Sequence, residues 1–456
     1  MKIENPATGA LVAEVLEDTA DSVAKAYERA RAAQPAWAAT PLAERSARVA
    51  RFRDLVEANK DSLALTLTRE MGKPVKQAVN ELTALRGRID FFLEHVAAVT
   101  AEETVLHQPD GALDEVIGQE PLGVVANVSA WNYPWFVGSN VFVPALLTGN
   151  AVVYKPSEYT TLTGQRIAEL WREAGVPADV FACVVGGGSV GAAVVDLPVD
   201  GVFFTGSYAT GRRIAERVAP RMIRLQLELG GKDPTYVTDD VDVRAAAESL
   251  ADGAMYNTGQ SCCSVERIYV HERVEAAFVD AFVEVVRGFK LGDPEDPDTY
   301  IGPLARPAQL DVLDEQVADA VARGARLLVG GKRAARPGAY YEPTVLAGAT
   351  QHMKLMRDES FGPIIGIARV KDDEEAVTLM NDTEYGLTAG VYAHDLARAE
   401  RVLARVNAGS VYVNACDRVS PRLPWTGRRH SGIGSTLSTY GIRAFLQPKA
   451  WHKKRA

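Results

Sequence analysis

The stretch from Pro121 to Tyr154 constrains the fold more than any other part of this sequence. It reads PLGVVANVSAWNYPWFVGSNVFVPALLTGNAVVY and contains no Asp, Glu, Lys or Arg. An apolar run of this length can cross a bilayer, but prolines, asparagines and glycines divide it into short pieces. The pattern therefore predicts a buried strand–turn–helix–strand unit, with strands at 124–129 and 151–154, and no membrane segment.

The sequence after this unit continues the alternation of strands and helices. Apolar strand candidates at 180–185 and 202–204 are separated by helical runs. One of these runs, TTLTGQRIAELWREAG at 160–175, is expected to begin with threonine caps and to end at Gly175. Short connections between alternating elements indicate a parallel sheet wound by helices. A second α/β stretch follows from about 232 to 414, after a helical N-terminal section at 20–100, so the predicted fold class is α/β with two domains.

Charge and cysteine usage exclude several classes of protein. The net charge is −9, and the 50 basic residues are intermixed with 59 acidic ones, so no basic surface for nucleic acid is expected. The four cysteines form no disulfide framework, and no Cys/His group has the spacing of a metal site. The first residues lack the apolar segment of a signal peptide. We therefore expect a cytoplasmic protein without a metal, a nucleic-acid partner or a membrane partner.

Two glycine-containing turns are candidates for binding a phosphate. GGGSVG at 186–191 matches G-x-G-x-x-G, but it does not follow the first strand, and the pattern favours an ordinary glycine-rich turn. In FTGSYATG at 204–211, Thr205 and Gly206 end a strand and Ser207 begins a helix, which leaves N–H groups free to face an anion. An ordinary connecting turn explains this second segment equally well.

The segment YKPSE at 154–158 ends the second strand of the unit with two charged residues. Lys155 and Glu158 are placed to face the crevice at the carboxyl ends of the strands. A carboxylate there can accept both ribose hydroxyls and would repel a 2′-phosphate. The alternative is a surface lysine beside a glutamate in the first turn of a helix.

Nine short motifs occur in an order and at a spacing that resemble one protein family. They are NPATG (5–9), WNYPW (131–135), YKPSE (154–158), FTGS (204–207), LELGGKDP (227–234), NTGQSCCSVER (257–267), ESFGP (359–363), NDTEYGLTAGV (381–391) and SGIG (431–434). Along nearly its whole length the chain resembles the NAD(P)-dependent aldehyde dehydrogenase superfamily. The resemblance implies a Rossmann-like cofactor domain, an α/β catalytic domain and a small β oligomerisation arm.

The same resemblance implies domain boundaries and an assembly. The NAD-binding domain would comprise 1–105 and 124–228, and the catalytic domain 229–420. Bridging segments at 106–123 and 435–456 would join subunits into a homodimer or homotetramer.

The resemblance also implies a catalytic set for the oxidation of a small-molecule aldehyde to a carboxylic acid. Spacing alone does not choose between the adjacent thiols of GQSCCS, but the family pattern G-Q-x-C places the nucleophile at Cys262 and makes Cys263 a small packing residue. A thiolate attacks a carbonyl carbon and can leave again from a thioester. Asn132 and the backbone N–H of Cys262 would hold the oxyanion. Glu228 would activate the water that hydrolyses the thioester.

The implied cofactor is NAD, with NADP as the alternative, and several residues are implied as ligands. Those for the cofactor are Trp131, Lys155, Glu158, Thr205, Gly206, Ser207, Glu359 and Phe361. Those for the substrate tunnel are Tyr133, Val137, Asn140, Val419 and Trp425. Arg418 and Arg422 flank the expected mouth of the tunnel, where an arginine fork would suit the carboxylate of a semialdehyde such as succinic semialdehyde; the alternative is two solvated loop arginines.

Two rival functions remain open at this point. A CoA-acylating enzyme would pass the acyl group to CoA and would need no water-activating base, which Glu228 argues against. A structural or binding protein of the same fold would not need Cys262, Glu228 and Asn132 together. The segments PWTGRRHSGIG and STLSTYG depart from the common family pattern at the substrate mouth and at a subunit contact.

Overall fold

The helical N-terminal section predicted at 20–100 is confirmed. A computed structural model describes residues 1–109 and 111–455. A short antiparallel pair of strands comes first, and four helices and two more strands follow it. They are β1 (Lys2–Glu4), β2 (Leu11–Glu14), α1 (Ala20–Ala39), α2 (Leu42–Ala58), α3 (Lys60–Met71), α4 (Val75–Thr100), β3 (Glu103–His107) and β4 (Leu113–Pro121). Gly72 ends α3 in a left-handed conformation (φ 86°), which glycine adopts without a steric penalty.

The uncharged stretch forms the predicted strand–helix–strand unit. Its elements are β5 (Val124–Val128), α5 (Pro134–Leu147) and β6 (Ala151–Lys155). Every residue of β5 and β6 is buried, which is why the sequence carries no charge before Lys155, the last residue of β6. Within 1–109 and 111–455, no helix is long and apolar enough to cross a membrane.

The unit is the centre of a six-stranded sheet with the order β17-β9-β8-β5-β6-β7. Its strands are parallel except β17 (Gly432–Ile433), which is antiparallel to β9. The elements that complete this part are α6 (Thr161–Glu173), β7 (Phe181–Cys183), α7 (Gly188–Asp196), β8 (Gly201–Thr205), α8 (Tyr208–Val218) and β9 (Arg224–Glu228). Helices α1 to α8 bury apolar side chains against this sheet in one continuous core.

A seven-stranded sheet with the order β12-β13-β14-β11-β10-β15-β16 forms the second α/β part. Only β12 is antiparallel to its neighbour. The elements are β10 (Asp233–Val237), α9 (Val243–Met255), β11 (Val265–His271), α10 (Glu275–Arg287), α11 (Gln309–Ala322), β12 (Arg326–Val329), β13 (Thr344–Ala347), α12 (Lys354–Arg357), β14 (Ile364–Val370), α13 (Asp373–Asn381), β15 (Thr388–Tyr392), α14 (Leu396–Leu403) and β16 (Ser410–Val413). Two apolar clusters cover its two faces.

A third sheet brings distant segments together. After α15 (Ser438–Arg443), β18 (Leu446–Lys454) pairs antiparallel with β4, which also pairs with β3. All of β3 and nearly all of β18 are exposed. The predicted bridging segments therefore form one sheet, while the domain boundaries given above stay a prediction.

Two local expectations were wrong in detail. Thr160 precedes α6 but its side chain makes no capping hydrogen bond. Instead Glu70 of α3 accepts hydrogen bonds from the N–H groups of Leu162 (2.8 Å) and Thr163 (2.7 Å), because packing brings a carboxylate to this helix end. The glycine-rich turn predicted at 186–191 is shorter than expected, since α7 already begins at Gly188.

Candidate active site

A cavity of about 290 Å³ lies where the strand ends of the first sheet meet loops from the second. Nine of the residues implied for catalysis and cofactor binding line it. They are Trp131, Asn132, Thr205, Gly206, Ser207, Glu228, Cys262, Glu359 and Phe361. These positions come from separate segments of the chain, and the fold alone brings them together.

The two adjacent thiols have different environments. Cys262 is half-buried and lines the cavity. Cys263 is buried, and its Sγ donates a hydrogen bond to Oδ1 of Asp417 at 3.0 Å. A hydrogen bond with Cys262, together with burial, holds the pKa of the Cys263 thiol well above its usual range. Only Cys262 is therefore presented to a molecule in the cavity.

The backbone before the thiols turns sharply. Asn257, Thr258 and Gly259 all have positive φ (54°, 58° and 69°). A Cβ atom on Gly259 would lie 2.2 Å from the carbonyl oxygen of Gly362, so glycine is required for this close approach. The side-chain amide of Asn257 donates to the carbonyl of Asn132 at 3.2 Å. This turn therefore links the thiol segment to the start of α5.

Two hydrogen-bond donors beside the thiol have no partner of their own. The side-chain amide of Asn132 and the backbone N–H of Cys262 make no hydrogen bond within the described part of the chain, although Asn132 is buried. Free donors next to a nucleophile are what a developing oxyanion requires.

Glu228 ends β9 as a buried carboxyl group. Its Oε1 accepts hydrogen bonds from Gln226 (3.3 Å) and Thr436 (3.4 Å). Its Oε2 is buried and has no hydrogen-bond partner among the described residues. Burial raises the pKa of Glu228 well above its usual value, and the two hydrogen bonds oppose this only in part. A carboxyl group with a raised pKa and a free oxygen can exchange a proton with a bound water near neutral pH.

The two glycines of LELGG make room for their neighbours. A Cβ on Gly230 would lie 2.4 Å from Oε1 of Glu359, and one on Gly231 would lie 2.7 Å from the carbonyl oxygen of Cys262. The N–H of Gly231 donates to Oε1 of Glu359 at 3.0 Å. Burial raises the pKa of Glu359 to about 8. The glycines thus let the Glu359 loop and the thiol turn approach the end of β9.

Sequence reasoning missed the residue that holds the Glu359 loop. Glu266 on β11 accepts hydrogen bonds from the N–H groups of Ser360 (2.8 Å) and Phe361 (3.1 Å) and pairs with Lys232. The signal was a glutamate beside Arg267 in the strand-like segment VERIYVH. Arg306 and Gln309 also line the cavity but lie in no motif, so nothing in the sequence indicated them.

Lys155 and Glu158 lie outside the 290 Å³ cavity, at the carboxyl end of β6, which is the neighbour of β5 in the first sheet. Lys155 is buried and its Nζ is 3.4 Å from Oε2 of Glu158, which is 40% exposed. Burial lowers the pKa of Lys155, against the effect of Glu158. At the end of β8, Ser207 caps α8 by accepting a hydrogen bond from the N–H of Thr210 at 3.4 Å.

This set of groups fits a dinucleotide. A carboxylate and a lysine at the end of β6, and a capped helix N-terminus after β8, lie along the carboxyl edge of one parallel sheet and suit a ribose and a pyrophosphate.

The residues implied for the substrate lie on two segments and do not line the cavity. Tyr133, Val137 and Asn140 are at the start of α5, and the other four are in the loop after β16. Of those four, Arg418 and Arg422 are exposed to solvent at least in part, Val419 packs against the same core as Cys262, and Trp425 is buried.

Arg267, the last residue of the motif NTGQSCCSVER, has a structural role. It is fully buried and donates to the carbonyl oxygens of Lys232 (2.8 Å), Leu379 (3.1 Å) and Met380 (3.0 Å).

Comparison with known proteins gives consistent matches over the whole chain. The profile described as "Aldehyde dehydrogenase family" matches residues 1–451. A betaine aldehyde dehydrogenase of Cereibacter sphaeroides is 37% identical over 448 residues, which cover 98% of this chain and 92% of that protein.

Two solved structures have a TM-score of 0.96 with this one. A succinate-semialdehyde dehydrogenase from Burkholderia pseudomallei is 37% identical and covers 100% of this chain and 94% of its own. An NAD-dependent aldehyde dehydrogenase from Sinorhizobium meliloti is 36% identical, and the match covers 99% of this chain and 91% of that one.

Proposed function

The chain belongs to the aldehyde dehydrogenase family, and on this premise we propose which of its residues carry out the reaction. The enzyme oxidises an aldehyde to the carboxylic acid with NAD or NADP. One observation supports the assignment above all others: a half-buried thiol, an unpaired amide and a buried carboxyl group line one cavity, at Cys262, Asn132 and Glu228.

Cys262 is the nucleophile of the proposed mechanism. Its thiol first loses its proton to solvent, and the sulfur then attacks the carbonyl carbon of the aldehyde, so that a carbon–sulfur bond forms while the carbonyl oxygen becomes an oxyanion. The side-chain amide of Asn132 and the N–H of Cys262 donate to this oxyanion, since neither has another partner in the described chain. NAD or NADP, held by the residues given below, would supply the hydride acceptor, and loss of hydride from the same carbon would leave a thioester on Cys262.

Glu228 activates water in the second half of the reaction. Its unpartnered Oε2 takes a proton from a water molecule, which then attacks the thioester carbon. The carbon–sulfur bond breaks, the acid leaves, and the thiol is restored. The rival CoA-acylating function has no use for this group, so its burial beside the thiol supports hydrolysis.

The cofactor is held at the edge of the first sheet in this proposal. Lys155 and Glu158 contact the adenosine ribose. Thr205, Gly206 and Ser207 place the N-terminus of α8 against the pyrophosphate. Glu359 binds the nicotinamide ribose, with Phe361 against the ring. Trp131 contributes backbone nearby, and its side chain packs edge-on against Phe361 at 5.4 Å.

The assembly and the location are part of the same proposal. The exposed sheet of β3, β4 and β18 supports a homodimer or homotetramer, because exposed strand edges pair readily with another chain. All four cysteines are free, which fits the reducing cytoplasm.

Glu228→Gln tests the hydrolytic step. Hydride transfer should persist because the thiol and the oxyanion donors are unchanged, whereas thioester hydrolysis should slow about 10²–10⁴-fold. Stopped-flow absorbance should show a burst approaching one NADH per active site, followed by slow turnover. Mass spectrometry of the intact protein should find the acyl group on Cys262. In the wild type, deacylation should slow as the pH falls through the raised pKa of Glu228, because protonation removes the base.

The matched control is Glu248→Gln, a change of an exposed glutamate on α9. It should behave as the wild type. Wild-type turnover in Glu228→Gln, or a requirement for CoA in the wild-type enzyme, would contradict the hydrolytic mechanism.

A further inference from the structure

A buried arginine lies among the residues assigned to the substrate tunnel. Arg88, on α4, is only 4% exposed. Its Nη1 donates to Oδ1 of Asn140 at 2.6 Å, and its guanidinium carbon lies 4.1 Å from the ring centre of Phe136. The ring of Tyr133 in turn stacks on that of Phe136, with the two ring centres 6.1 Å apart. Arg88 therefore packs against the face of α5 that carries Tyr133 and Asn140.

Among the residues that the structure describes, no counter-ion is in contact with the charge of Arg88. The neighbouring buried cation, Lys73, pairs with Glu81. The other oxygen of Glu81 accepts hydrogen bonds from the N–H groups of Trp135 (2.9 Å) and Phe136 (3.3 Å), so this carboxylate is fully used. Arg88 forms no ion pair with any residue of 1–109 or 111–455. Burial lowers its pKa to about 10, with Glu81 and Cys263 opposing, so it stays charged at neutral pH.

The remaining donors of Arg88 are open. Only Nη1 makes a hydrogen bond within the described chain, and neither Nε nor Nη2 is among the buried polar atoms that lack a partner. These two nitrogens therefore reach space that a solvent molecule or a ligand can occupy. Keeping a charge buried without a partner is costly, and such a group near a reactive centre is a candidate for binding.

The position of Arg88 relative to the reacting atom sets what it can bind. Arg88 contacts Phe136 and Asn140 of α5, and Tyr133 at the start of that helix directly follows Asn132, which lines the cavity. Asp417, a half-buried acid of this region, accepts hydrogen bonds from Ser261 and Cys263 and is thereby directed to the thiol turn. Arg88 thus offers two free, planar donors inside the protein, beside the α5 residues implied for the substrate.

We propose that Arg88 binds a carboxylate at the far end of the substrate, so that the aldehyde is the semialdehyde of a short dicarboxylic acid. This inference rests on the proposed function. A guanidinium matches a carboxylate in shape and charge, and it would repel an aldehyde that carries a quaternary ammonium group. Arg418 and Arg422, the arginines that the sequence suggested, are open to solvent, so an ion pair there would be weakened by water.

The test compares substrates of equal length. Succinic semialdehyde and butanal differ at the end remote from the aldehyde, and betaine aldehyde supplies the opposite charge. The wild type should prefer succinic semialdehyde by kcat/KM. Arg88→Met, which is neutral and of similar length, should lower the ratio of kcat/KM for succinic semialdehyde to that for butanal by about 10- to 100-fold, mainly through KM.

A second variant decides the question if Arg88→Met does not fold. Asn140→Asp is nearly isosteric and gives Arg88 an internal carboxylate, so it should lower the same ratio. Arg86→Met, a change of a 49% exposed arginine two residues away on α4, is the control and should leave the ratio close to that of the wild type.

A binding measurement avoids turnover altogether. Succinate should protect Cys262 from alkylation in the wild type and in Arg86→Met, but not in Arg88→Met. An unchanged substrate ratio and unchanged protection in the Arg88 and Asn140 variants would overturn this inference while leaving aldehyde oxidation intact. A wild type that reduces NAD and NADP with none of the three aldehydes, nor with a wider set, would count against the proposed function instead.

Discussion

At residues 262 and 263 the chain places two chemically identical thiols side by side, and their surroundings make them different. Cys262 faces the cavity, whereas Cys263 donates to Asp417 and has a raised pKa. A thiol held in its protonated form is a poor nucleophile. The role of each residue therefore depends on its neighbours in space, since the two are indistinguishable by type.

Cys262→Ala should abolish dehydrogenase activity, while Cys263→Ala should keep most of it. The first change removes the atom that forms the thioester, and the second removes a buried side chain that only packs and donates to Asp417. Steady-state NADH formation and labelling of the thiols with iodoacetamide measure both effects. A folded but inactive Cys263→Ala together with an active Cys262→Ala would show that the nucleophile is misassigned by one residue.

Glu158→Ser should narrow the preference for NAD over NADP. The carboxylate of Glu158 would face the 2′-phosphate of NADP, and removing its charge should change the ratio of the two kcat/KM values by about tenfold or more. The control is Glu169→Ser, a change of a glutamate of similar exposure on α6. Equal kcat/KM values with NAD and NADP in the wild type would contradict a role of Glu158 in selecting NAD over NADP.

At the scale of single elements, α6 shows how a helix end can be stabilised from a distance. Thr160 stands where a capping side chain is expected, yet its hydroxyl is buried without a hydrogen-bond partner in the described chain. Glu70, on α3, supplies both acceptors to the first turn. Sequence patterns near the helix cannot reveal a cap that lies in another helix.

Glu70→Gln should lower the free energy of unfolding by roughly 1–3 kcal/mol, because the amide can replace only one of two acceptors and turns an NH₂ group toward a backbone N–H. Thr160→Val is the matched control, since it removes a hydroxyl that has no partner among the described residues, and it should be neutral or slightly stabilising. Urea unfolding followed by circular dichroism compares the two. If Thr160→Val lowered the free energy of unfolding more than Glu70→Gln does, the cap of α6 would be Thr160, as the sequence suggested.

At the scale of the whole molecule, β18 returns to pair with β4 along its full length, from Leu446 opposite Pro121 to Lys454 opposite Leu113. The outer strand β3 leaves Val105 and Leu106 exposed by 51% and 38%. Apolar side chains on an unpaired strand edge favour association with a second chain.

Light scattering should therefore give a mass of two or four subunits of 49.2 kDa each. Val105→Glu with Leu106→Glu should shift the protein toward the monomer, because charges on the edge oppose pairing. Leu16→Glu, at a position that is 92% exposed in another part of the surface, is the control and should not change the mass. A wild-type monomer, or an unchanged mass in the double variant, would contradict this interface.

The sequence by itself determined the fold class, the buried unit at 121–154 and, through the order of nine motifs, the family. These features can be read from residues that are close together in the chain. A strand without charged residues indicates that both its faces are buried. A motif keeps its spacing because its residues share one turn. Glu228, Cys262 and Asn132 are therefore recognisable from their motifs, without reference to their neighbours in space.

Only the tertiary structure decided which thiol faces the cavity, where α6 finds its cap, and that Arg88 is a buried cation without a counter-ion in the described chain. Each of these depends on a contact between residues far apart in sequence, such as Arg88 with Asn140 or Glu70 with Thr163. In the sequence Arg88 is one of several charged residues in a helical run, and the pattern predicts that it is exposed to solvent. Packing of α4 against α5 removes it from water, and burial is what makes an ordinary charge costly enough to require a partner.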